Sequence, residues 1–237
     1  MNAESAVGDS HVRLGASLAS AAGELRVPVS PEQSARLIVF VELLFRWNRT
    51  YNLTAIRDLS GMLTQHVVDC LAAILPLRRE LAGRAQAQLL DVGSGGGLPG
   101  VVFAVMEPET IVTCVDSVGK KTAFVRQAAA ALKLDNLRVE RARVEDLADE
   151  RFDVITSRAF GSLAELVHLT AGLLADGGMW MAMKGKVPGD EIAALPTDVN
   201  MFHVERLAVP GVRGERCLVW MRAASTKSRS REVPKDI

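Results

Sequence analysis

Cysteine is scarce in this chain of 237 residues: Cys70, Cys114 and Cys217 stand far apart, odd in number, with no Cys-x-x-Cys pair. That excludes the ligand spacing of a zinc site, and no metal centre is expected. Cys114 and Cys217 lie inside apolar runs and read as small core residues. An excess of charge is also missing. Lys+Arg and Asp+Glu both number 28, so composition points to neither nucleic acid nor an acidic partner. Any RNA contact has to come from a local basic patch. No apolar run reaches the roughly 18 residues of a membrane helix. The opening residues, Met1 to His11, carry Glu4 and Asp9 and no signal-peptide core. The expected location is the cytoplasm, with no membrane association.

What is present is a hydrophobic content of 49%, enough for one α/β domain with extensions. The first 80 residues read as an all-helical extension. His11 to Ala22 suits a short helix. Ser30-Pro31 followed by Gln33 is a helix start, with Ser as N-cap and Pro at the first helical position. That helix is expected to run to about Tyr51, with Leu37, Val41, Leu44 and Phe45 on one stripe. Another is expected from Leu59 to Leu75, stopped by Pro76.

From residue 81 to 222 short apolar strands alternate with helices. The strands are expected at Gln88–Val92, Ile111–Val115, Leu137–Glu140, Phe152–Thr156 and Met179–Met183. Leu174 to Gly178 is read as the turn before the fifth, and Met201–Leu207 with Cys217–Arg222 as a closing antiparallel pair. The alternation predicts a doubly wound, mostly parallel sheet with right-handed connections. Residues 223–237 form a polar, basic tail, read as disordered.

The strongest motif is Asp91-Val92-Gly93-Ser94-Gly95-Gly96-Gly97-Leu98-Pro99-Gly100, which leaves a strand and opens a helix. Gly93 can take the sharp turn, and Gly95 and Gly97 leave room for a ligand against the backbone. Asp116 follows at the end of the second strand, about 20 residues on, where an acidic side chain holds ribose hydroxyls. The bland alternative is an ordinary turn with a surface Asp. Gly95, Gly97 and Gly100 also satisfy the G-x-G-x-x-G of a dinucleotide site, so an NAD-binding oxidoreductase stays open. Read from Asp91, the pattern D-x-G-x-G-x-G resembles the opening motif of class I S-adenosylmethionine-dependent methyltransferases, whose sheet is Rossmann-like. Val144-Glu145, after the third strand, then falls where that fold holds adenine. No Gly-Lys-Ser/Thr follows the glycines, so this is not a P-loop.

A narrower resemblance rests on Trp47-Asn48 with Tyr51-Asn52-Leu53-Thr54, His66-Val67-Val68-Asp69, Gly93 to Gly100 and Asp116 to Lys121. It continues through Ser157-Arg158-Ala159-Phe160, Lys184-Gly185 and Gly214-Glu215-Arg216, spanning about residues 37 to 222. On these segments the chain resembles the bacterial small-subunit rRNA methyltransferase family RsmG, also called glucose-inhibited division protein B. The W-N-x-x-Y-N-L-T and S-R-A-F segments make the match specific. Gln65 stands where the family usually has Arg, and Gly96 where its loop often has Pro. The resemblance implies methylation of a guanine N7 (position 527 in the family's RNA numbering) in 16S rRNA or the small ribosomal subunit, with S-adenosylmethionine as cofactor. Guanine N7 carries a free lone pair and no proton. No general base is then needed. Phe152 to Phe160 also lacks the N-P-P-Y/F segment of amino-methylating enzymes.

Asp91, Gly93, Gly95, Gly97, Leu98, Asp116, Val144, Glu145 and Arg158 are the expected cofactor-binding residues. The alternative for Asp91 is simply to cap the turn. Arg158 and Lys184 are the expected catalytic pair. Arg158 would grip the methionine carboxylate or guanine O6, against the alternative of a surface pair with Asp153 or Glu165. Lys184 would reach RNA backbone, or simply end a solvated strand. His66 reads as a structural hydrogen-bonder lining the site, not as an acid or base. Lys120-Lys121 faces the same choice between phosphate contact and a solvated helix start. From Lys184 to Ile237 ten basic residues stand against seven acidic, an excess that permits RNA contact without demanding it. A non-catalytic ribosome-assembly factor is the remaining alternative; Asp91 and Asp116 weigh against it. No exposed apolar stripe stands out, so a monomer is expected.

Overall fold

The computed structural model describes residues 3–147 and 150–224. Helices come first: α1 (Ala3–Glu24), α2 (Pro31–Tyr51), the short α3 (Leu59–Met62) and α4 (Asp69–Leu71), and α5 (Ile74–Leu81). α2 starts as its sequence predicts. Ser30 Oγ accepts the Gln33 N–H at 3.1 Å, and Gln33 Oε1 accepts the Ser30 N–H at 2.9 Å. α1 is longer than expected, because its small and apolar residues continue a helix on both sides of the predicted stretch.

Pro76 does not end a helix as expected. It sits at the third position of α5, where its missing N–H would have had no partner in any case. Between α3 and α4 the chain widens into a π-helical turn, Leu63–Val68, a rare form often found at functional sites. The stretch Leu59–Leu81 is long and apolar enough to cross a membrane by length and composition, contrary to expectation. Here 61% of its most apolar window is buried within the protein. Met62, Val67, Leu71, Ile74 and Leu77 pack into the core.

The strands are β1 (Gln88–Val92), β2 (Ile111–Val115), β3 (Leu137–Glu140), β4 (Phe152–Arg158), β5 (Leu174–Lys184), β6 (Val199–Arg206) and β7 (Cys217–Ala223). They form one sheet in the order β3-β2-β1-β4-β5-β7-β6. The first five are parallel, and β7 runs antiparallel to both β5 and β6. The expected turn at 174–178 is absorbed into β5 as a bulge. Phe152 pairs Leu174, the next pair is Val154 with Met179, and Gly177 takes φ +70° between them. β4 continues two residues past its predicted end, to Arg158.

α6 (Gly100–Met106) and α7 (Gly119–Leu132) cover one face, and α8 (Leu163–Thr170) the other. α2 lies along α7. Phe124 of α7 meets Phe40 at 6.1 Å and the edge of Trp47 at 5.6 Å between ring centroids. Phe40 and Phe124 are fully buried and each contributes about 1.5–3 kcal/mol, while Trp47 is partly buried against them. Gln33 Nε2 also donates to the carbonyls of Val105 and Met106, both at 3.3 Å, tying the start of α2 to the end of α6. The N-terminal helices therefore share one apolar core with the sheet. The tail expected at 223–237 lies, beyond Ala224, outside the described residues.

The strand order reverses at β1, with β2 on one side and β4 on the other. In an open parallel sheet that switch point leaves a crevice at the carboxyl ends of the strands. Gly93 follows β1, Asp116 follows β2 and Arg158 ends β4, so all three are delivered to the same edge.

Candidate active site

The crevice has two lobes. One, of about 620 Å³, is lined by Gly93, Gly95, Leu98, His66, Arg158 and Arg216 among others. The other, of about 450 Å³, is lined by Val92, Asp116, Val144, Glu145, Phe160 and Leu169 among others. Gly93, Lys121 and Ala159 border both.

Gly93 turns the chain out of β1 with φ +65°, and a Cβ there would come within 2.7 Å of the Phe160 ring. At Gly95, φ +56°, a Cβ would meet only the Gly93 carbonyl oxygen, at an ordinary contact distance of 3.8 Å. Gly97 does not meet its expected role. Its Cβ would strike Val101 Cγ2 at 2.6 Å, so its bareness serves helix packing rather than a ligand. Gly100 is alike: a Cβ would come within 2.3 Å of Cys114 Sγ.

Asp91 also lies behind the wall. It is fully buried, and its Oδ2 accepts the Gly100 N–H at 2.8 Å, capping the first turn of α6. Burial pushes its carboxyl up to about 7, and the Gly100 hydrogen bond only partly opposes that. Its Oδ1 has no partner among the described residues. The Gly100 contact is the turn cap that the alternative reading of Asp91 expects.

Asp116 lines the smaller lobe and also ties the loop. Its Oδ2 accepts the Gly95 N–H at 3.0 Å, its Oδ1 accepts the Val118 N–H at 2.8 Å, and Lys121 Nζ stands 3.4 Å away. Val144 and Glu145 begin a single 3₁₀ turn beside it, Val144 buried and Glu145 exposed.

The larger lobe is built around an aspartate. Asp69, 4% exposed, accepts Arg216 Nε at 2.8 Å on one oxygen and Arg158 Nη1 at 3.2 Å on the other. Arg158 pairs with neither Asp153, which holds Arg84, nor Glu165. Its Nη1 also donates to the Gln65 carbonyl at 3.2 Å, and its Nη2 lies 3.3 Å from His66 Nδ1. His66 is held well below its ordinary value, at about 4, by burial and then by the Arg158 charge. Lys184 is engaged elsewhere. Its Nζ donates to Glu191 Oε2 at 2.8 Å and to the Gly161 carbonyl at 3.0 Å, at the rim where the larger lobe meets the loop after β5.

A model of the family described as rRNA small subunit methyltransferase G matches residues 33–219. The chain belongs to that family. The protein named ribosomal RNA small subunit methyltransferase G from Leptothrix cholodnii is 56% identical over 211 residues, covering 89% of this chain and 96% of its own. The protein of the same name from Acidovorax ebreus is 53% identical over 220 residues, 90% of this chain and 97% of its own. Among solved structures, TrmN from Thermus thermophilus superposes with a TM-score of 0.51 at 24% identity, covering 68% of this chain and 53% of that one. Ribosomal protein L11 methylase from Lactobacillus delbrueckii subsp. bulgaricus gives 0.51 at 16% identity, over 65% and 77%. At these identities the likeness is one of fold, the Rossmann-like class I S-adenosylmethionine-dependent methyltransferase sheet.

The residues present fit the cofactor that this fold implies. The smaller lobe offers apolar Val92, Val115, Val144 and Leu169 for a flat base, and the carboxylates of Asp116 and Glu145 for hydroxyls. Gly93, where a Cβ would leave no room beside Phe160, marks the passage to the lobe holding Arg158, whose guanidinium suits a carboxylate.

In this family member, sequence reasoning missed Arg216 and Asp69 as site residues, although both stand in segments that carry the resemblance. The available signal was charge: an Asp between Val68 and Cys70 on an apolar helix needs a buried cationic partner.

Proposed function

We propose that the chain transfers a methyl group from S-adenosylmethionine to the N7 of a guanine in 16S rRNA, as free RNA or within the small ribosomal subunit. The reading is carried by one arrangement: a carboxylate-bearing lobe and an arginine-bearing lobe meeting at Gly93, in a member of the rRNA small subunit methyltransferase G family.

When bound, S-adenosylmethionine supplies an electrophilic methyl on a sulfonium, toward which guanine N7 has only to present its lone pair. The protein's task is alignment and exclusion of water. Asp116, Val144 and Glu145 would hold the nucleoside end. Arg158 would orient either the methionine carboxylate or guanine O6, both acceptors suited to its planar fork. Asp69 offsets two guanidiniums where the reaction leaves a cationic methylguanine. His66 is unsuited to general-base work: both ring nitrogens are engaged, and burial, then the Arg158 charge, holds its pKa down at about 4. Lys184, tied to Glu191, would meet RNA phosphate at the rim rather than the reacting atoms.

In this reading the helices before β1 roof the cleft, the protein works in the cytoplasm, and it acts as a monomer. The exposed large apolar side chains among the described residues, Val12, Tyr51, Leu75 and Val118, are scattered along the chain, which supports the last point. Calorimetry with S-adenosylmethionine and with NAD tests the reading. One site for S-adenosylmethionine and none for NAD is expected; binding of NAD alone would overturn it.

A further inference from the structure

The loop after α2 makes contacts that the proposed chemistry does not use. Asn48, 2% exposed, donates from Nδ2 to the Ile56 carbonyl at 2.8 Å and accepts the Thr54 N–H at 2.8 Å. Asn52 permits the bend by taking φ +51°. Together they hold Thr54 at one spot on the cleft wall. There Thr54 Oγ1 lies 2.7 Å from His66 Nε2 and also accepts the Ile56 N–H at 3.2 Å.

The other ring nitrogen decides the tautomer. His66 Nδ1 is 3.3 Å from Arg158 Nη2 and 3.1 Å from the Gln65 carbonyl. A guanidinium only donates. Nδ1 can therefore be the bare acceptor of Arg158, or the donor to Gln65, but not both. The Gln65 carbonyl already accepts Arg158 Nη1 at 3.2 Å. One guanidinium bridging two acceptors accounts for all three distances, with the ring proton on Nε2, donated to Thr54. Asp69 holds the far side of Nη1. Of the five N–H donors of Arg158, one on Nη2 and the one on Nε have no partner among the described residues.

We propose that Thr54 is a positioning residue: through the neutral, Nε2-protonated ring of His66 it fixes the rotation of Arg158 and leaves that guanidinium's two remaining donors for the bound ligands. The role in methyl transfer rests on the function proposed above; the hydrogen-bond chain from Thr54 to Arg158 does not. It also gives the Y-N-L-T segment, remote in sequence from the glycine loop, a purpose at the site.

The test compares the full-length protein with Thr54→Val and Thr54→Ser. Ring 15N shifts of His66 report the tautomer, and Arg158 side-chain resonances report its order. Single-turnover transfer to small subunits lacking the modification reports function. In the wild type, His66 is expected to stay neutral with its proton on Nε2 from about pH 5 to 8. Thr54→Val should give mixed tautomers, averaged Arg158 resonances and transfer slowed about tenfold or more; Thr54→Ser should restore the rate to within about threefold. A proton on Nδ1 in the wild type overturns the proposal even if Thr54→Val fails to fold. So does a Thr54→Val protein with an unchanged ring and an unchanged rate. If the wild type transfers no methyl group, the proposed function fails, and the ring and Arg158 resonances still judge the positioning role.

Discussion

Asp69 and Arg158 stand 89 residues apart in sequence and 3.2 Å apart in the cleft, where α4 begins and β4 ends. The pair joins the N-terminal helices to the crevice of the sheet. Asp69 also holds Arg216, the residue before β7, so three distant segments close on one carboxylate.

Asp69→Asn keeps the shape and removes the charge, leaving two guanidiniums without compensation. Removing one partner of a fully buried pair costs about 3–5 kcal/mol. Here both arginines reach solvent, so roughly 2 kcal/mol is expected, together with a large loss of methyl transfer. Urea unfolding checks this; a variant as stable and as active as wild type would contradict it.

Asp116→Ala removes the carboxylate expected on the ribose and also frees the Gly95 and Val118 amides. S-adenosylmethionine affinity should fall about 10- to 100-fold, roughly 1.4–2.7 kcal/mol. Unchanged affinity by calorimetry would show that the hydroxyls are held elsewhere.

Asp91 gives a pH signature. Its carboxyl is raised from 3.8 to about 7 by burial, so between those values the folded state holds a proton that the unfolded state has released. Its contribution to stability is full below about pH 4 and is lost as pH rises through about 7. His66 acts oppositely. Lowered from 6.5 to about 4, it contributes stability that is lost as pH falls through that window. The two slopes overlap, so only a difference isolates Asp91. The stability of Asp91→Asn relative to wild type should rise from pH 5 to about 7 and level off above that, measured by urea midpoint. A difference flat with pH would place the Asp91 titration outside this window.

Arg158→Ala should leave the fold intact and slow methyl transfer more than tenfold, about 1.4 kcal/mol or more. Arg158→Lys should recover only part, because Lys keeps the charge and loses the fork. Weaker S-adenosylmethionine binding in the Ala variant would assign the arginine to the carboxylate, and unchanged binding with slow transfer to the guanine. An Ala variant as active as wild type would make Arg158 a structural ion-pair residue.

The sheet was legible because its strands announce themselves. Gln88–Val92 and Ile111–Val115 are short apolar runs bounded by turn residues, and each is followed by a residue, Gly93 or Asp116, whose bareness or charge belongs at a crevice. The capping box at Ser30 was legible for the same local reason. Pro76 was misread because proline at a first turn and proline at a stop look alike until the neighbouring turn is known. The π turn at Leu63–Val68 leaves no periodic trace over so short a stretch. Gly97 and Gly100 were indistinguishable from ligand-facing glycines until Val101 and Cys114 were seen against them. The Asp69–Arg158–Arg216 cluster depends on side chains from three elements, and spacing along one chain does not encode such a meeting.

The most direct measurement supplies the purified protein with S-adenosylmethionine carrying a labelled methyl group and with small ribosomal subunits that lack the modification. N7-methylguanine is then located by chemical cleavage of the 16S rRNA at that base. One labelled N7-methylguanine, formed more than tenfold more slowly when Arg158→Ala replaces the wild type, is the expected result. Label on an exocyclic amine, a ribose or a ribosomal protein, or no label at all despite bound S-adenosylmethionine, would contradict it.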